Sequence, residues 1–408
     1  MRVIEKRTYK KGHPYFKILD ELCFKSKNLY NATLYAVRQH YFSTGNYLSY
    51  AEVNKEFTDH DQADYRALPA KVSKLVQQLV ASNFKSFFGL LKKKQNGNYA
   101  KPVHIPKYLD KVRGRQVVTY TEQALLKKEA GYVGVSGVDL SIMKFPVEDN
   151  SKIQFVRVVP KGYYIDVEIG KIVEEPKVKK NNRYASIDLG LSNLATITSN
   201  VTKPFIINGK PLKSVNQYYN KKKSKLQEIQ SRQTPKKNLT NRMQKITWKR
   251  NNKIMDYLHK ASRIVVNHLV SNDISLLVVG YNKGWKQDIA IGKQNNQNFV
   301  SIPFLKFVNM LKYKCSLVGI QVILNEESYT SKCSFLDNED IKRHKEYQGT
   351  RIHRGLYRTK NSNLINADVN GSYNIMKKYL TKKGVWNELL YSDCIEVCST
   401  PSVITVNL

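Results

Sequence analysis

The chain has 408 residues, with 68 Lys plus Arg against 33 Asp plus Glu and a formal net charge of +35. Its 41% of hydrophobic residues is too much for a disordered polyelectrolyte, and its length suits two or three domains. No apolar run reaches membrane-spanning length and no signal-peptide pattern follows Met1, which argues against a membrane protein; five scattered cysteines (Cys23, Cys315, Cys333, Cys394, Cys398) argue against a disulfide framework. The expected partner is therefore a nucleic acid, bound through its phosphates in a reducing cytoplasm.

Residues 1–9 alternate loosely and read as a first strand. Glu21–Phe42 and Pro69–Lys93 read as helices; in the second, Val72, Val76, Leu79, Val80, Phe87 and Leu91 recur at helical spacing, and Lys92–Gly97 is a basic, glycine-containing stop. From Gln116 to Ile169 the period becomes two, and Pro160-Lys161-Gly162 turns one alternating run into another, a hairpin. Strands flanking a helical block suggest a β-barrel carrying an inserted helical domain. Residues 171–183, rich in Lys, Glu and Pro, read as a linker.

The second half predicts strands at 184–188, 194–198 and 204–208. A basic helical region follows over 213–272, two helices broken near Pro235. Then come a strand at 274–279, a polar loop at 281–300, a helix opening at Ser301-Ile302-Pro303 and a strand at 320–324. A last helix runs from about Asp368 to Leu380, and residues 381–408 read as a tail. Three strands, helix, strand, helix, strand, helix is the order of an RNase H-like fold, so the expected class is multidomain α/β.

Two short stretches carry the chemistry: YASIDLGLSNLATI (184–197) and NADVNGSYNIMKK (366–378). Asp188 ends an apolar strand and Asp368 opens a helix. Taken separately, the first is an ordinary turn aspartate before glycine and the second a helix-terminal acid. Taken together, in this order, they are two carboxylates that only a fold can bring to one sheet edge, which is how proteins hold Mg²⁺ for phosphodiester cleavage.

These motifs, with Lys27-Asn28-Leu29-Tyr30-Asn31, the stretch from Leu68-Pro69 to Phe88, and Tyr329-Thr330-Ser331-Lys332, resemble the TnpB family of transposon-encoded RNA-guided nucleases, relatives of type V CRISPR effectors. The resemblance covers nearly the whole chain. It implies an N-terminal β-barrel wedge domain (1–170) with a helical recognition insertion (about 15–100), the linker, and a RuvC nuclease domain (184–380). It also implies guide RNA and double-stranded target DNA as partners, with a monomer and a dimer both open.

Two departures from the family stand out. Its glutamate at the end of the fourth strand is replaced here by Gly280, but Glu326 and Glu327 follow the next strand. A carboxylate there could reach the same metal from one strand over, and glycine would leave it room. Asp188, Glu327 (with Glu326 as alternate) and Asp368 are therefore the expected catalytic and Mg²⁺-binding residues, holding two ions. The bland reading of Glu326 and Glu327 is a pair of solvated loop acids. The second departure lies at 328–365, a degenerate zinc-ribbon-like insertion. It offers Cys333 alone, with His344 and His353, short of the four ligands a structural zinc needs, so no zinc is expected.

Residues 213–263 hold fifteen Lys or Arg and two acids, an excess of one sign that suits a groove tracking a nucleic-acid backbone. Lys249, Arg250, Lys253, Lys260 and Arg263 are the candidates there, with Tyr218, Tyr219 and Trp248 as stacking rings. Lys283, Trp285, Lys286, Arg351 and Arg354 complete the expected nucleic-acid contacts. Three functions remain open from sequence: an RNA-guided DNA endonuclease, a nuclease-dead RNA-guided repressor, and a guide-free transposase or resolvase.

Overall fold

The computed structural model describes residues 1–233, 240–282, 284 and 292–407, with backbone alone at 293–295 and 298. Pro235 and the break around it lie outside the described residues. The chain divides into two compact units, Met1–Val173 and Glu174–Leu408.

The first unit contains β1 (Arg2–Lys10), α1 (Pro14–Thr44), α2 (Tyr50–Asp59), α3 (Ala63–Arg66), α4 (Ala70–Gln95), β2 (Val118–Thr121), β3 (Leu125–Leu126), β4 (Tyr132–Val135), β5 (Phe145–Pro146), β6 (Ile153–Pro160) and β7 (Tyr164–Ile172). Helix α1 starts seven residues before its predicted start because Pro14 stands in its first turn and His13 caps it, accepting from Tyr15 N. In α4 the stripe of Val72, Val76 and Val80 is buried as the spacing predicts, whereas Leu79 faces out. The strands form an antiparallel sheet in the order β1-β7-β6-β2 and a small sheet β3-β4-β5. No ladder joins β1 to β2 among the described residues, so the expected barrel is here a pair of open sheets.

The second unit contains β8 (Tyr184–Leu189), β9 (Asn193–Ser199), β10 (Phe205–Asn208), α5 (Lys210–Gln233), α6 (Asn241–Ser271), β11 (Leu276–Gly280), α7 (Lys293–Ser301), α8 (Phe304–Ser316), β12 (Gln321–Asn325), β13 (Thr350–His353), β14 (Leu356–Arg358), β15 (Leu364–Asn366), α9 (Ala367–Lys382), α10 (Glu388–Val397) and β16 (Ser402–Ile404). Its main sheet runs β12-β11-β8-β9-β10-β16, with β11 parallel to both β8 and β12.

Two expectations need correction in this unit. Ser301 does not open a helix: it ends α7, inside a stretch read as loop, and α8 begins after Pro303. Ile302, forced extended by the proline that follows it, separates the two helices and is fully buried. Nor is 381–408 a tail, because α10 packs on the core through Leu390 and Cys394 and β16 adds the outer strand beside β10. The linker is also engaged: Lys179 N donates to Gly319 O (2.9 Å) and its ammonium pairs with Asp273.

Alternation along each strand sorts the main sheet into two faces. Ala185, Ile187, Leu277 and Val279 pack against α6 and α8, where Ile254, Leu258, Ala261, Val265 and Leu269 form one apolar stripe along α6. Tyr184, Leu276 and Val278 pack against α9, through Val369, Tyr373, Ile375 and Met376. The same parity turns Ser186, Asp188 and Gly280 toward α9.

Candidate active site and nucleic-acid surface

Parity is the first cause of the site, and the close fit of α9 on β8 is the second. Ser186 Oγ donates to Ser372 O (2.6 Å), and the hydroxyls of Ser186, Thr198 and Ser372 lie within hydrogen-bond reach of one another. Small residues let helix and strand approach: a Cβ on Gly371 would stand 3.1 Å from Asp188 Oδ2. Asn366 caps α9 by accepting from the backbone N–H groups of Asp368 and Val369, which fixes Asp368 in the first turn at the positive end of the helix. Asp368 Oδ2 then accepts from Asn193 Nδ2 (2.7 Å), and Arg351 Nη2 stands 3.4 Å from its Oδ1.

The register Val279↔Ile187 puts Gly280 level with Asp188, and Gly280 itself is paired with Asn325. Glu327 lies two residues beyond that partner. Its Oε2 stands 2.7 Å from where a Cβ on Gly280 would be, with Ile375 Cδ1 at 2.5 Å as the wall. The Glu327 carboxylate thus fills the space into which a side chain at 280 would project. Asn282 binds it from the end of β11. Glu326 behaves differently: it is exposed, accepts from Ser328 and pairs with Lys378 (2.6 Å).

Electrostatics mark Asp188 and Glu327 as one group of charges with Asp368. The Asp188 carboxyl is held well above the usual carboxylate range, first by burial and then by Asp368 and Glu327, with Arg351 opposing. Glu327 is pushed up to about 7, by burial and then by Glu326, with Lys378 opposing. Among the described residues no three His, Cys, Asp or Glu side chains are drawn together tightly enough, as placed, to clasp a metal ion. The donor chemistry nevertheless fits a hard divalent cation: all three groups offer carboxylate oxygens, and a cation would relieve the repulsion that raises Asp188.

Beside Asp368 a cavity of about 700 Å³ is lined by Ser192, Asn193, Arg351, His353 and Arg354. The β13–β14 hairpin delivers its three basic side chains, so Arg351 and Arg354 stand at the candidate site itself. A second groove, of about 960 Å³, runs between α5 and α6, with Tyr218, Lys222, Lys225, Arg242, Lys249 and Lys253 on its walls. Tyr218 is exposed and Lys222 stands over its ring, 5.7 Å from the centroid, while Tyr219 and Trp248 are half-buried. Arg250 corrects an expectation: its guanidinium is committed within the protein, to Asn216 Oδ1 (2.8 Å), Asn251 Oδ1 (2.9 Å) and Ser301 O (2.7 Å). Lys260 pairs with Asp256 (2.7 Å) and Asn407 O (3.0 Å), whereas Arg263 is exposed beside Tyr313 and Lys314. Lys283, Trp285 and Lys286 lie outside the described residues.

In the 328–365 segment the Cys333 thiol donates to the carbonyls of Asp340 (3.4 Å) and Lys342 (3.7 Å), and Asn370 and Asn374 of α9 hold the Cys333 carbonyl. Sequence reasoning missed Asn193, Asn282 and Gly371. Asn193 and Gly371 lie inside the two quoted motifs, and Asn282 is a polar residue just past a buried strand; Gly371 gave no signal beyond its place three residues after Asp368.

Residues 164–286 match the OrfB_IS605 family model, described as a probable transposase, and residues 304–375 match the Cas12f1-like TNB domain. Over these two stretches the chain is similar to both families. The two matched stretches contain Asp188, Gly280, Glu327 and Asp368. No curated protein matches the chain. Solved structures similar to this chain include a Cas12f1–sgRNA–target DNA complex, at 14% identity and a TM-score of 0.35, covering 91% of this chain and 98% of that one. A CRISPR-Cas12f ternary complex is similar at 13% identity and a TM-score of 0.33, covering 88% and 80%. A Cas12i–crRNA–dsDNA complex follows at 9% and 0.30, covering 81% and 46%. No described helix is long and apolar enough to cross a membrane.

Proposed function

We propose that the chain is an RNA-guided, Mg²⁺-dependent DNA endonuclease of a transposon, cutting target DNA beside a short flanking motif. In this reading the second unit is an RNase H-like RuvC domain, and the sheets and helices of the first are a wedge and recognition domain. The observation that carries the reading is the Glu327 carboxylate standing in the space beside Gly280, on the face that Asp188 and Asp368 share. A nuclease that had merely lost its strand-end glutamate has no reason to raise a second glutamate into the vacated space.

Asp188, Glu327 and Asp368 would hold the metal. Bound there, Mg²⁺ supplies activation of a water and stabilisation of the leaving 3′-oxygen. Arg351 would turn from Asp368 to the scissile phosphate, and Arg354 and His353 would line the strand's path. Guide–target pairing would give sequence choice, while the lysines of the α5–α6 groove would follow the heteroduplex backbone without reading it.

The test is purification of the chain with its co-expressed RNA, sequencing of that RNA, and cleavage of a plasmid library with randomised sequence beside the matching target. Discrete RNA and Mg²⁺-dependent cuts at a fixed distance from one flanking motif are the expected result. Guided binding without cutting, in Mg²⁺ or Mn²⁺, would make the chain a repressor. Cutting without any RNA would make it a guide-free transposase or resolvase.

A further inference from the structure

Asn282 stands two residues beyond Gly280, just past the end of β11. Its side chain makes two reciprocal contacts with one residue. Nδ2 donates to Glu327 Oε1 (3.2 Å), and Oδ1 accepts from the Glu327 backbone N–H (3.1 Å). A carboxamide presents a donor and an acceptor side by side without charge, so one rigid group fixes both the backbone and the carboxylate of Glu327. This division of labour leaves Oε2 as the oxygen against Gly280, bounded by Ile375.

The need for such a clamp follows from where Glu327 sits. A carboxylate carried on the last residue of a strand is aimed by the strand. Glu327 lies two residues beyond β12, on a segment outside the ladder, and ordering its side chain costs up to about 2 kcal/mol of rotamer freedom. Side-chain hydrogen bonds from Lys378 and Ser328 go to the carboxylate of Glu326, its neighbour.

We infer that Asn282 is the positioning residue for Glu327: Gly280 provides the space, Asn282 the aim, and Glu327 the carboxylate. The inference rests on the proposed metal site.

Its test compares Asn282→Ala and Asn282→Asp with Glu327→Gln in the full chain. Asn282→Asp keeps an acceptor for the Glu327 N–H but removes the donor to Oε1. Mn²⁺ alone is titrated into each free protein and followed by its EPR signal, with thermal melting as the control for folding. Both Asn282 variants should bind Mn²⁺ about 10–100-fold more weakly, the usual loss when a partner of a metal ligand is removed. In guided cleavage they should need correspondingly more Mn²⁺ and recover a near-normal maximal rate at saturation, whereas Glu327→Gln should not recover. Folded Asn282 variants with unchanged Mn²⁺ affinity and unchanged half-saturation, beside an inactive Glu327→Gln, would overturn the role of Asn282 alone. A Glu327→Gln protein that cuts normally would overturn the proposed metal site and this inference with it.

Discussion

Glu327→Gln keeps the shape of the side chain and its bond to Asn282 while removing the charge that a metal ligand must supply. The expected loss of cleavage is about 10³-fold or more, the several kcal/mol that metal-borne charge stabilisation is worth. Asp188→Ala and Asp368→Ala should fail to the same degree, and all three should bind guided targets almost as the parent does, since none lies on a heteroduplex-tracking helix. Rates of cleavage and gel-shift affinities, measured on the same preparations, check this. Glu326→Gln should stay within about threefold of the parent. Glu326 is exposed and tied to Lys378, and surface pairs of this kind contribute little. A Glu326→Gln protein that was dead while Glu327→Gln cut would reverse the assignment between the neighbours.

Among the elements, α5 and α6 separate their positive charges by task. Arg250 is bonded inside the fold, and its replacement should lower the melting temperature. Lys222, Lys225, Lys249 and Lys253 face the groove, and removing their charge should weaken binding to every target alike. Each lost phosphate contact should reduce the slope of log affinity against log salt by about 0.9 on duplex and about 0.7 on a single strand. A changed base preference with an unchanged slope would rule out a backbone-tracking groove. The α6–α8 contact makes a different prediction. Lys314 is buried, donating to His259 O and Ser262 Oγ (both 2.7 Å), and burial, aided by Arg263, lowers its ammonium to about 8. An unfolded lysine stays protonated to about 10.4, so between pH 8 and 10 the unfolded chain binds the extra proton and stability gains up to about 1.4 kcal/mol per pH unit from this group. Lys314→Met should flatten that rise in denaturant melts taken across this range.

At the scale of the whole molecule the charge of +35 opposes compaction, and a bound polyanion offsets it. Cognate RNA at about 1,000 times its Kd should add about 4 kcal/mol of stability, visible as a higher melting temperature. An unchanged melting temperature would argue against RNA as the resident partner. Much of this fold could be read from the sequence because its signals are periodic. The alternation of β6 and β7 and the stripes on α4 and α6 belong to single elements. Asp188 and Asp368 could be picked out because each marks an element boundary. Glu327 was reachable because Gly280 left a conspicuous gap. What escaped depends on contacts between distant segments. Arg250 looks like its exposed neighbours until Asn216 and Ser301 are brought to it. Asn282 matters only because β12 runs parallel beside β11, and residues 402–404 gave no hint that they would join a sheet begun at Tyr184. That long reach across the sequence also shapes how the protein is made. Asn193 and Asp368, hydrogen-bonded in the finished site, are 175 residues apart. At about 5–20 residues per second, a ribosome takes roughly 10–35 s to travel from one to the other. Throughout that interval a growing chain carries Asp188 without its helical partner, so nascent and prematurely terminated products would hold an unassembled site; under the proposed function, the ability to cut DNA would be withheld until synthesis has passed α9.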